Sequence, residues 1–328
     1  MNTNVTPSAP KRCVIFDNSG TFEDITALLL LLTMKDVELL GIVVTPMDNY
    51  MKPATELTLK VLSIMGKSVE VSQSDFKTSH VNLADHFIGT TVSCNNFPML
   101  IYQKFDGGLV SKQRPVEFMA SKIRESAQKV TLNVTGPLYN IARLFESDPS
   151  IKDNIEEIIL MGGAIDVEGN VYRKGTKLTH ADWNMYWDPV SAKSVISSGV
   201  KITMFTLDGN YHVPIKHEML RKIARLKSSN LSKMIGTFYC QYEVKQSALK
   251  HTYYFLDTVS VAHLAIPNLA EFEYVEIDVV TEGAEAGRTI RKPGSGHWVS
   301  FTKKVNSQKF YEFFYNSLQI NGNFEENE

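Results

Sequence analysis

The sequence predicts an α/β protein built on an open, mostly parallel sheet with helices on both faces. Three observations support this fold class. Short apolar runs rich in β-branched residues alternate with longer segments of helical periodicity through most of the chain. The runs have the apolar character expected of strands buried on both faces. The 328 residues, 43% of them hydrophobic, are also enough to bury a large core.

Six apolar runs are predicted to be successive strands of the sheet. In chain order they are Cys13–Phe16, Leu39–Val44, Val69–Val71, Val130–Val134, Ile155–Met161 and Lys201–Phe205. The fourth run is followed by Gly136 and Pro137, which favour a turn. Two later runs, Tyr274–Thr281 and Trp298–Lys303, are predicted to be strands that form a hairpin.

The segments between the strands have the periodicity of helices. They are Ile25–Met34, Thr55–Met65, Pro115–Gln128, Leu138–Glu146, Pro189–Ser197 and, after the last strand, Asn306–Leu318. Residues 72–108 show no clear period, and we interpret them as a long mobile loop near a site. Because no linker or repeat interrupts the pattern, residues 12–320 are predicted to form a single domain, with flexible ends at residues 1–11 and 321–328.

Composition and charge argue against several classes of function. The net charge of −2 gives no electrostatic reason to expect nucleic acid or an anionic membrane as a partner. The longest apolar run, Ile25–Met34, is too short to span a bilayer. The three cysteines are widely spaced and form neither a metal pair nor a disulfide framework, so we expect a reducing, cytoplasmic setting.

The segment Phe16–Asp24 is the first candidate for chemistry. It places Asp17, Ser19, Glu23 and Asp24 between the first predicted strand and the first predicted helix. Ligands of open α/β sheets bind at the carboxyl ends of the strands. We therefore expect these acidic and hydroxyl groups to lie at a ligand site.

One known family shares this first turn. The run Val14–Phe22 resembles the first motif of haloacid-dehalogenase-type phosphatases, in which a strand presents Asp-x-Asp-Gly-Thr. This resemblance implies that Asp17 is a nucleophile and that Ser19 replaces the acid. The family also needs a later lysine and a paired-acid motif, and no convincing acid pair follows a late strand here. The phosphatase alternative therefore rests on a single nonapeptide.

Motifs along the rest of the chain resemble those of the inosine–uridine-preferring nucleoside N-ribohydrolases. They are Val134–Asn140, Ile159–Ala164 followed by Gly169 and Asn170, Ala181–Pro189 and Leu256–Thr258. They occur in the family's order and at its spacing, and the resemblance covers about residues 12–318. The run Trp183–Pro189 is most similar to the purine-specific enzymes of trypanosomatids. The resemblance implies the nucleoside hydrolase fold, with a Rossmann-like sheet, and a homodimer or homotetramer.

The reaction implied by this resemblance is hydrolysis of the N-glycosidic bond of a purine ribonucleoside. A bound Ca²⁺ would hold the ribose hydroxyls and the attacking water, and oxygen ligands suit this hard cation. An Asp in the first turn would take a proton from the water as general base. The expected partner is therefore a small-molecule ribonucleoside.

The family's first turn has the pattern Asp-x-Asp-x-x-x-Asp-Asp, whereas here the four positions hold Asp17, Ser19, Glu23 and Asp24. The resemblance implies that Asp17 supports the site and that Asp24 binds Ca²⁺. Glu23 would hold a ribose hydroxyl in place of a shorter Asp. Ser19 occupies the position of the general base, itself a Ca²⁺ ligand. A serine hydroxyl cannot take a proton from water near pH 7, so the sequence predicts either impaired hydrolysis or a pseudoenzyme that binds nucleoside as a sensor or scaffold.

The same resemblance assigns the remaining site residues. Besides Glu23, the residues predicted to bind ribose or nucleoside are Met161, Asn170, Asp182, Trp183 and Asn184. Besides Asp24, the residues predicted to bind Ca²⁺ are Thr135, through its carbonyl, and Asp257. Asp48 matches an acidic residue that contacts the base. Leu256 replaces an aromatic residue or histidine beside the leaving base, and His86 and Phe87 lie where the family has a lid.

Several of these assignments have a purely structural alternative. Thr21 or Asp24 could cap the helix that follows the first turn. Asn184 could satisfy buried backbone groups, as buried polar side chains must. Trp183 and Trp187 could simply pack against each other. These alternatives stay open on the sequence alone.

Overall fold

The computed structural model describes residues 10–45, 47, 50–77, 94–171, 180–226, 230–239 and 253–319. Asp48, His86 and Phe87 lie outside the described residues, as do residues 1–9 and the tail 321–328. The interpretations given above for those positions therefore stay predictions.

Nine strands in the described part of the chain form one sheet, in the order β3-β2-β1-β4-β5-β6-β9-β7-β8. Their bounds are β1 Arg12–Asn18, β2 Val37–Val44, β3 Val71–Gln73, β4 Val130–Val134, β5 Ile155–Met161, β6 Ile202–Phe205, β7 Ala270–Val279, β8 Thr289–Arg291 and β9 His297–Val305. Strands β1 to β6 are parallel, and β9 runs parallel to β6. Strands β7 and β8 add an antiparallel edge. The predicted open, mostly parallel sheet is confirmed.

Helices cover both faces of this sheet. Their bounds are α1 Phe22–Thr33, α2 Met51–Ile64, α3 Pro98–Ile101, α4 Pro115–Glu125, α5 Tyr139–Ser147, α6 Trp183–Trp187, α7 Pro189–Ile196, α8 Leu207–Asn210, α9 His217–Arg225, α10 Asn230–Tyr239, α11 Asp257–Ala265 and α12 Ser307–Ser317. Val14 and Phe16 of β1 belong to the core on the side of α1, α2 and α11. Cys13 and Ile15 belong to the core on the side of α4, α5 and α7. Since successive side chains of a strand point to opposite faces, both cores need apolar residues from β1.

The strand order brings three polar turns together at the edge of the sheet that is formed by the carboxyl ends of its parallel strands. Strand β1 lies between β2 and β4. The N–H of Thr45, just beyond β2, donates to the carbonyl of Asn18. The N–H of Thr135, just beyond β4, donates to the carbonyl of Asp17. The carboxyl ends of these strands therefore meet where the sequence predicts a site.

Several predicted elements differ from those in the structure. Strand β3 lies at Val71–Gln73 rather than at Val69–Val71, and α1 begins at Phe22 rather than at Ile25. Helix α3 lies within residues 72–108, which were predicted to be a loop without regular structure. Helix α2 begins at Met51 rather than at Thr55, and Pro53 falls in its first turn, where proline is tolerated. The predicted hairpin of the two late strands is wrong in its connection. Strands β7 and β9 do pair antiparallel, but β8 lies between them in the chain and pairs with β7. None of the helices in the described ranges is long and apolar enough to cross a membrane.

Candidate active site

Asp17 is buried at the end of β1, where it joins neighbouring elements. Its Oδ1 accepts a hydrogen bond from Thr45 Oγ1 at 2.9 Å, and its Oδ2 accepts one from Asn140 Nδ2 at 2.9 Å. Burial raises the pKa of Asp17 to about 7, against the effect of these two hydrogen bonds. Asn140 also accepts a hydrogen bond from Ser74 Oγ at 2.8 Å. The Asp17 side chain thus links the ends of β1 and β2 to α5.

Asp24 lies at the start of α1, and three hydroxyl groups bind its carboxylate. Its Oδ2 accepts from Ser19 Oγ at 2.5 Å and from Thr21 Oγ1 at 2.7 Å, and its Oδ1 accepts from Thr135 Oγ1 at 2.5 Å. The backbone N–H of Thr21 donates to Oδ2 as well, at 2.9 Å. Thr21 is the N-cap of α1, and its side chain accepts from the Asp24 N–H in return, which completes a capping box. The capping alternative is therefore confirmed for both residues.

Glu23 and Asp257 bring two more buried carboxylates to this region. Glu23 Oε1 accepts a hydrogen bond from the backbone N–H of Leu256. Burial raises the pKa of Glu23 to about 8, partly offset by backbone hydrogen bonds from Leu256 and Asp257. Burial and the nearby charges of Asp24 and Glu23 raise the pKa of Asp257 well above its ordinary value. No donor among the described residues binds the Asp257 side chain, so its carboxylate is free to meet a ligand.

Asn184 joins the ends of two strands from the first turn of α6. Its Nδ2 donates to the carbonyl of Thr135 at 3.1 Å and to the carbonyl of Met161 at 3.0 Å. Asp182 caps α6 by accepting from the Asn184 N–H at 3.0 Å. Asn170 Nδ2 donates to Asp182 Oδ2 at 3.1 Å. The structural alternative for Asn184 is thus confirmed, and the same bonds hold its side chain at the site.

A cavity of about 320 Å³ opens at this edge of the sheet, a size that suits a small organic ligand. Its lining includes nine residues assigned above to catalysis, to nucleoside or to metal: Ser19, Glu23, Thr135, Met161, Asn170, Asp182, Trp183, Asn184 and Asp257. Its lining also includes Leu256, which the resemblance placed beside the leaving base, and Trp187. Asp17 and Asp24 are not part of the lining. Asp24 accepts hydrogen bonds from Ser19, Thr21 and Thr135, all of which line the cavity.

Four further lining residues, Thr21, Phe22, Met47 and Tyr253, received no ligand-binding role from the sequence. Thr21 and Phe22 belong to the polar first turn, and their position in that turn is the sequence feature that could have predicted a place at the cavity. Asn140 belongs to the motif Val134–Asn140 but received no role of its own. Trp183 and Trp187 have ring centroids 5.8 Å apart, so they pack together as well as line the cavity.

The described residues fit the calcium site that the resemblance implies only in part. The Asp24 carboxylate is surrounded by hydroxyl and N–H donors, and Ser19 offers a neutral oxygen where a carboxylate was expected. The Thr135 carbonyl accepts a hydrogen bond from Asn184. Within the described ranges, no group of three or more His, Cys, Asp or Glu side chains is arranged to hold a metal ion. Oxygen donors suit Ca²⁺, but of the three expected ligands only Asp257 has a side chain that accepts no hydrogen bond from the described residues, whereas Asp24 and the Thr135 carbonyl each accept at least one.

Comparison with known proteins places the chain in a family. The profile of the family described as inosine-uridine preferring nucleoside hydrolase matches residues 14–312. The chain belongs to this family. The resemblance inferred from the sequence is therefore confirmed, whereas the phosphatase alternative is not supported. Both oxygens of Asp17 are also hydrogen bonded, and they lie away from the cavity that a nucleophile would have to face.

Individual nucleoside hydrolases match over different lengths. The pyrimidine-specific ribonucleoside hydrolase RihA of Shewanella baltica is 32% identical over 215 residues, which are 65% of this chain and 64% of that protein. The chain therefore spans slightly less than two thirds of that relative. Uridine nucleosidase 1 of Arabidopsis thaliana is 26% identical over 293 residues, covering 87% of this chain and 83% of its own length.

Solved structures of nucleoside hydrolases match over nearly the whole chain. The structure of the inosine-uridine preferring nucleoside hydrolase from Bacillus anthracis superposes with a TM-score of 0.85 at 26% identity, covering 94% of this chain and 99% of that one. The plant nucleoside hydrolase PpNRh1 superposes with a TM-score of 0.81 at 21% identity, covering 94% and 99%. The predicted nucleoside hydrolase fold is thereby confirmed.

Proposed function

We propose that the cavity binds a ribonucleoside and that the protein hydrolyses its N-glycosidic bond far more slowly than a family member with the full acidic turn. One observation carries this proposal: the Ser19 hydroxyl, at the position of the general base, donates its hydrogen bond to Asp24. The oxygen of a neutral serine hydroxyl is far too weak a base to take a proton from water near pH 7, and here no carboxylate stands in its place. Loss of a general base typically lowers a rate by roughly two to four orders of magnitude.

Neighbouring carboxylates are poorly placed to replace the base. Asp17 lies outside the cavity lining, and both of its oxygens accept hydrogen bonds. Asp24 is covered by three hydroxyl groups. Glu23 is engaged with the backbone of Leu256. Asp257 keeps a free carboxylate, but the resemblance assigns it to the ion rather than to the water.

The ribose end of the cavity keeps its binding groups. Asn170, Asp182 and Asn184 hold one another in place there. Asp257, which the resemblance assigns to the ion, also lines the cavity, and we propose that it accepts a hydrogen bond from a ribose hydroxyl when no Ca²⁺ is bound. We propose that Ca²⁺ binds weakly, because no carboxylate replaces Ser19 and Asp24 is satisfied internally. The cavity is also lined by four aromatic residues, whose rings suit the face of a nucleobase: Phe22, Trp183, Trp187 and Tyr253.

The choice of nucleobase is part of the proposal. The similarity of Trp183–Pro189 to purine-specific enzymes favours purines, and the two indole rings of this run line the cavity. Curated relatives are named as pyrimidine-specific hydrolase and uridine nucleosidase. We propose purine ribonucleosides as the preferred ligands, with uridine and cytidine as the necessary comparison. We also propose a homodimer or homotetramer, which light scattering would measure.

A non-catalytic nucleoside-binding protein is the second candidate. The same hydrogen bond from Ser19 to Asp24 favours this candidate. The polar groups expected to bind ribose are still present, whereas the general base is missing. Base release from inosine, guanosine, adenosine, uridine and cytidine, measured at saturating Ca²⁺, separates the two candidates. Slow release supports the impaired enzyme, and micromolar to millimolar binding without release supports the binding protein. Brisk turnover would contradict both, and a complete lack of nucleoside binding by calorimetry would contradict the shared proposal.

A further inference from the structure

Helix α11 begins at Asp257 without a capping side chain of its own. Its N-cap residue is Leu256, an apolar residue that makes no side-chain capping hydrogen bond. The first N–H groups of a helix have no partner within the helix, and buried N–H groups need one. The N-terminus of α11 therefore depends on a partner from elsewhere in the chain.

Glu23 is that partner. It lies in the first turn of α1, 233 residues earlier, and its Oε1 accepts the N–H of Leu256. A backbone hydrogen bond from Asp257 to the same carboxylate lowers the pKa of Glu23. Glu23 is buried, with 4% of its surface exposed, and Ile25, Leu28, Val259 and Ala262 from the two helices share one apolar core. The carboxylate thus joins the N-termini of two packed helices.

We propose that Glu23 is a positioning residue: it caps α11 and thereby directs the free carboxylate of Asp257 into the cavity, instead of binding the ribose itself. The role depends on the length of the side chain. An Asp at this position would end about 1.5 Å shorter, the length of one carbon–carbon bond, and would lose the Leu256 N–H unless the backbone moved. The proposal rests on the proposed function only where it assigns Asp257 to the nucleoside.

Amide hydrogen exchange tests the cap directly and needs no ligand. In Glu23→Asp we expect exchange of the Leu256 and Asp257 amides to speed up by about tenfold, the range typical for loss of a helix cap. In Glu23→Gln the amide oxygen can still accept, so exchange should stay within about threefold of wild type. The Ser191 amide, which Asp188 caps at the start of α7, serves as an internal reference and should not change. Unchanged exchange at Leu256 in Glu23→Asp would overturn the cap.

Nucleoside affinity tests whether the cap positions Asp257. We expect Glu23→Asp to weaken binding about tenfold and Glu23→Gln to keep it within about threefold. If Glu23 instead binds a ribose hydroxyl, the opposite result is expected. Glu23→Asp restores the family's residue, so this variant should then bind nucleoside at least as tightly as wild type. Faster amide exchange in Glu23→Asp without a change in nucleoside affinity would mean that Glu23 caps α11 but does not position Asp257. This result would also overturn the proposal. If wild type binds no nucleoside, the proposed function fails, while the exchange measurement still decides the cap.

Discussion

Ser19 and Asp24 are five residues apart in the chain, and a hydrogen bond of 2.5 Å joins their side chains. This contact gives Ser19 a structural role. Its hydroxyl donates a hydrogen bond that stabilises the buried Asp24 carboxylate, which has no counter-ion among the described residues. Thr21 and Thr135 do the same with their hydroxyl groups. Three neutral donors thus surround the charge at the position where the family resemblance implies a cation.

Restoring the carboxylate at position 19 should reverse this arrangement. We expect Ser19→Asp to raise the rate of base release by about two orders of magnitude and to tighten Ca²⁺ binding, because it supplies a proton acceptor and an anionic ligand. Without Ca²⁺, the new charge faces Asp24, so the free energy of unfolding should fall by on the order of 2 kcal/mol and recover when Ca²⁺ is added. Steady-state kinetics, calcium titration and urea denaturation measure the three effects.

Ser19→Asn is the matched control for this substitution. It has nearly the same shape as the Asp variant but is neutral, so it should improve neither the rate nor the calcium affinity. Equal behaviour of the two variants would contradict a role for charge at position 19.

Helix α1 shows how an element and a site share residues. Its capping box uses Thr21 and Asp24, and both take part in the hydroxyl cluster beside the cavity. The cap and the candidate site therefore cannot be altered separately at this position. Helix α12 offers a contrast, because its N-cap Asn306 accepts from the Lys309 N–H at 3.1 Å and is not part of the cavity lining.

Removing each cap separates stability from binding. We expect Thr21→Ala and Asn306→Ala each to lower the free energy of unfolding by about 1 kcal/mol, the usual effect of a lost N-cap. Only Thr21→Ala should also change nucleoside or Ca²⁺ affinity, since it removes one of the hydroxyl groups on Asp24. Chemical denaturation and calorimetry measure the two quantities. A change of affinity in Asn306→Ala would show that the effect is a general loss of stability.

Local sequence patterns predicted elements better than they predicted contacts. Strands β4 and β5 were predicted to the residue because their apolar runs have sharp polar or glycine boundaries. The roles of Glu23 and Asp17 could not be predicted in the same way. Glu23 caps a helix that begins 234 positions later, and Asp17 is held by Thr45 and Asn140 from two other turns. The periodicity of apolar residues cannot predict such hydrogen-bond partners, because the partners depend on which turns the strand order of the sheet brings together.

The stability of the whole molecule should depend on pH through its buried acids. Burial raises the pKa of Asp17 from 3.8 to about 7. Between about pH 4 and pH 7 the folded protein therefore keeps a proton that the unfolded chain has lost, so Asp17 makes the free energy of unfolding fall as the pH rises through this window. The full effect is on the order of 4 kcal/mol. Asp17→Asn should remove this contribution in urea denaturation at pH 4.5, 6 and 8.

Asp278 provides a control of opposite character. Its partial burial would raise its pKa, but hydrogen bonds from Lys292 and Lys193 lower it to about 2. Its stabilising effect is present above the unfolded value near 4 and is lost only below it. The difference between wild type and Asp278→Asn should therefore be constant from pH 4.5 to 8. A similar constant difference for Asp17→Asn would contradict the buried, protonated state of Asp17.

The first turn of α1 also limits how the candidate site can move. Every residue of α1 from Phe22 to Leu32 is buried, so the helix is held along almost its whole length. Asp24 cannot follow an incoming ligand without breaking the cap of that helix, and the backbone has no room to yield. The hydroxyl hydrogens of Ser19, Thr21 and Thr135 can still rotate, each by giving up its hydrogen bond to Asp24. Adaptation of the described residues around Asp24 would then consist of rotating three O–H bonds while the backbone of α1 stays fixed.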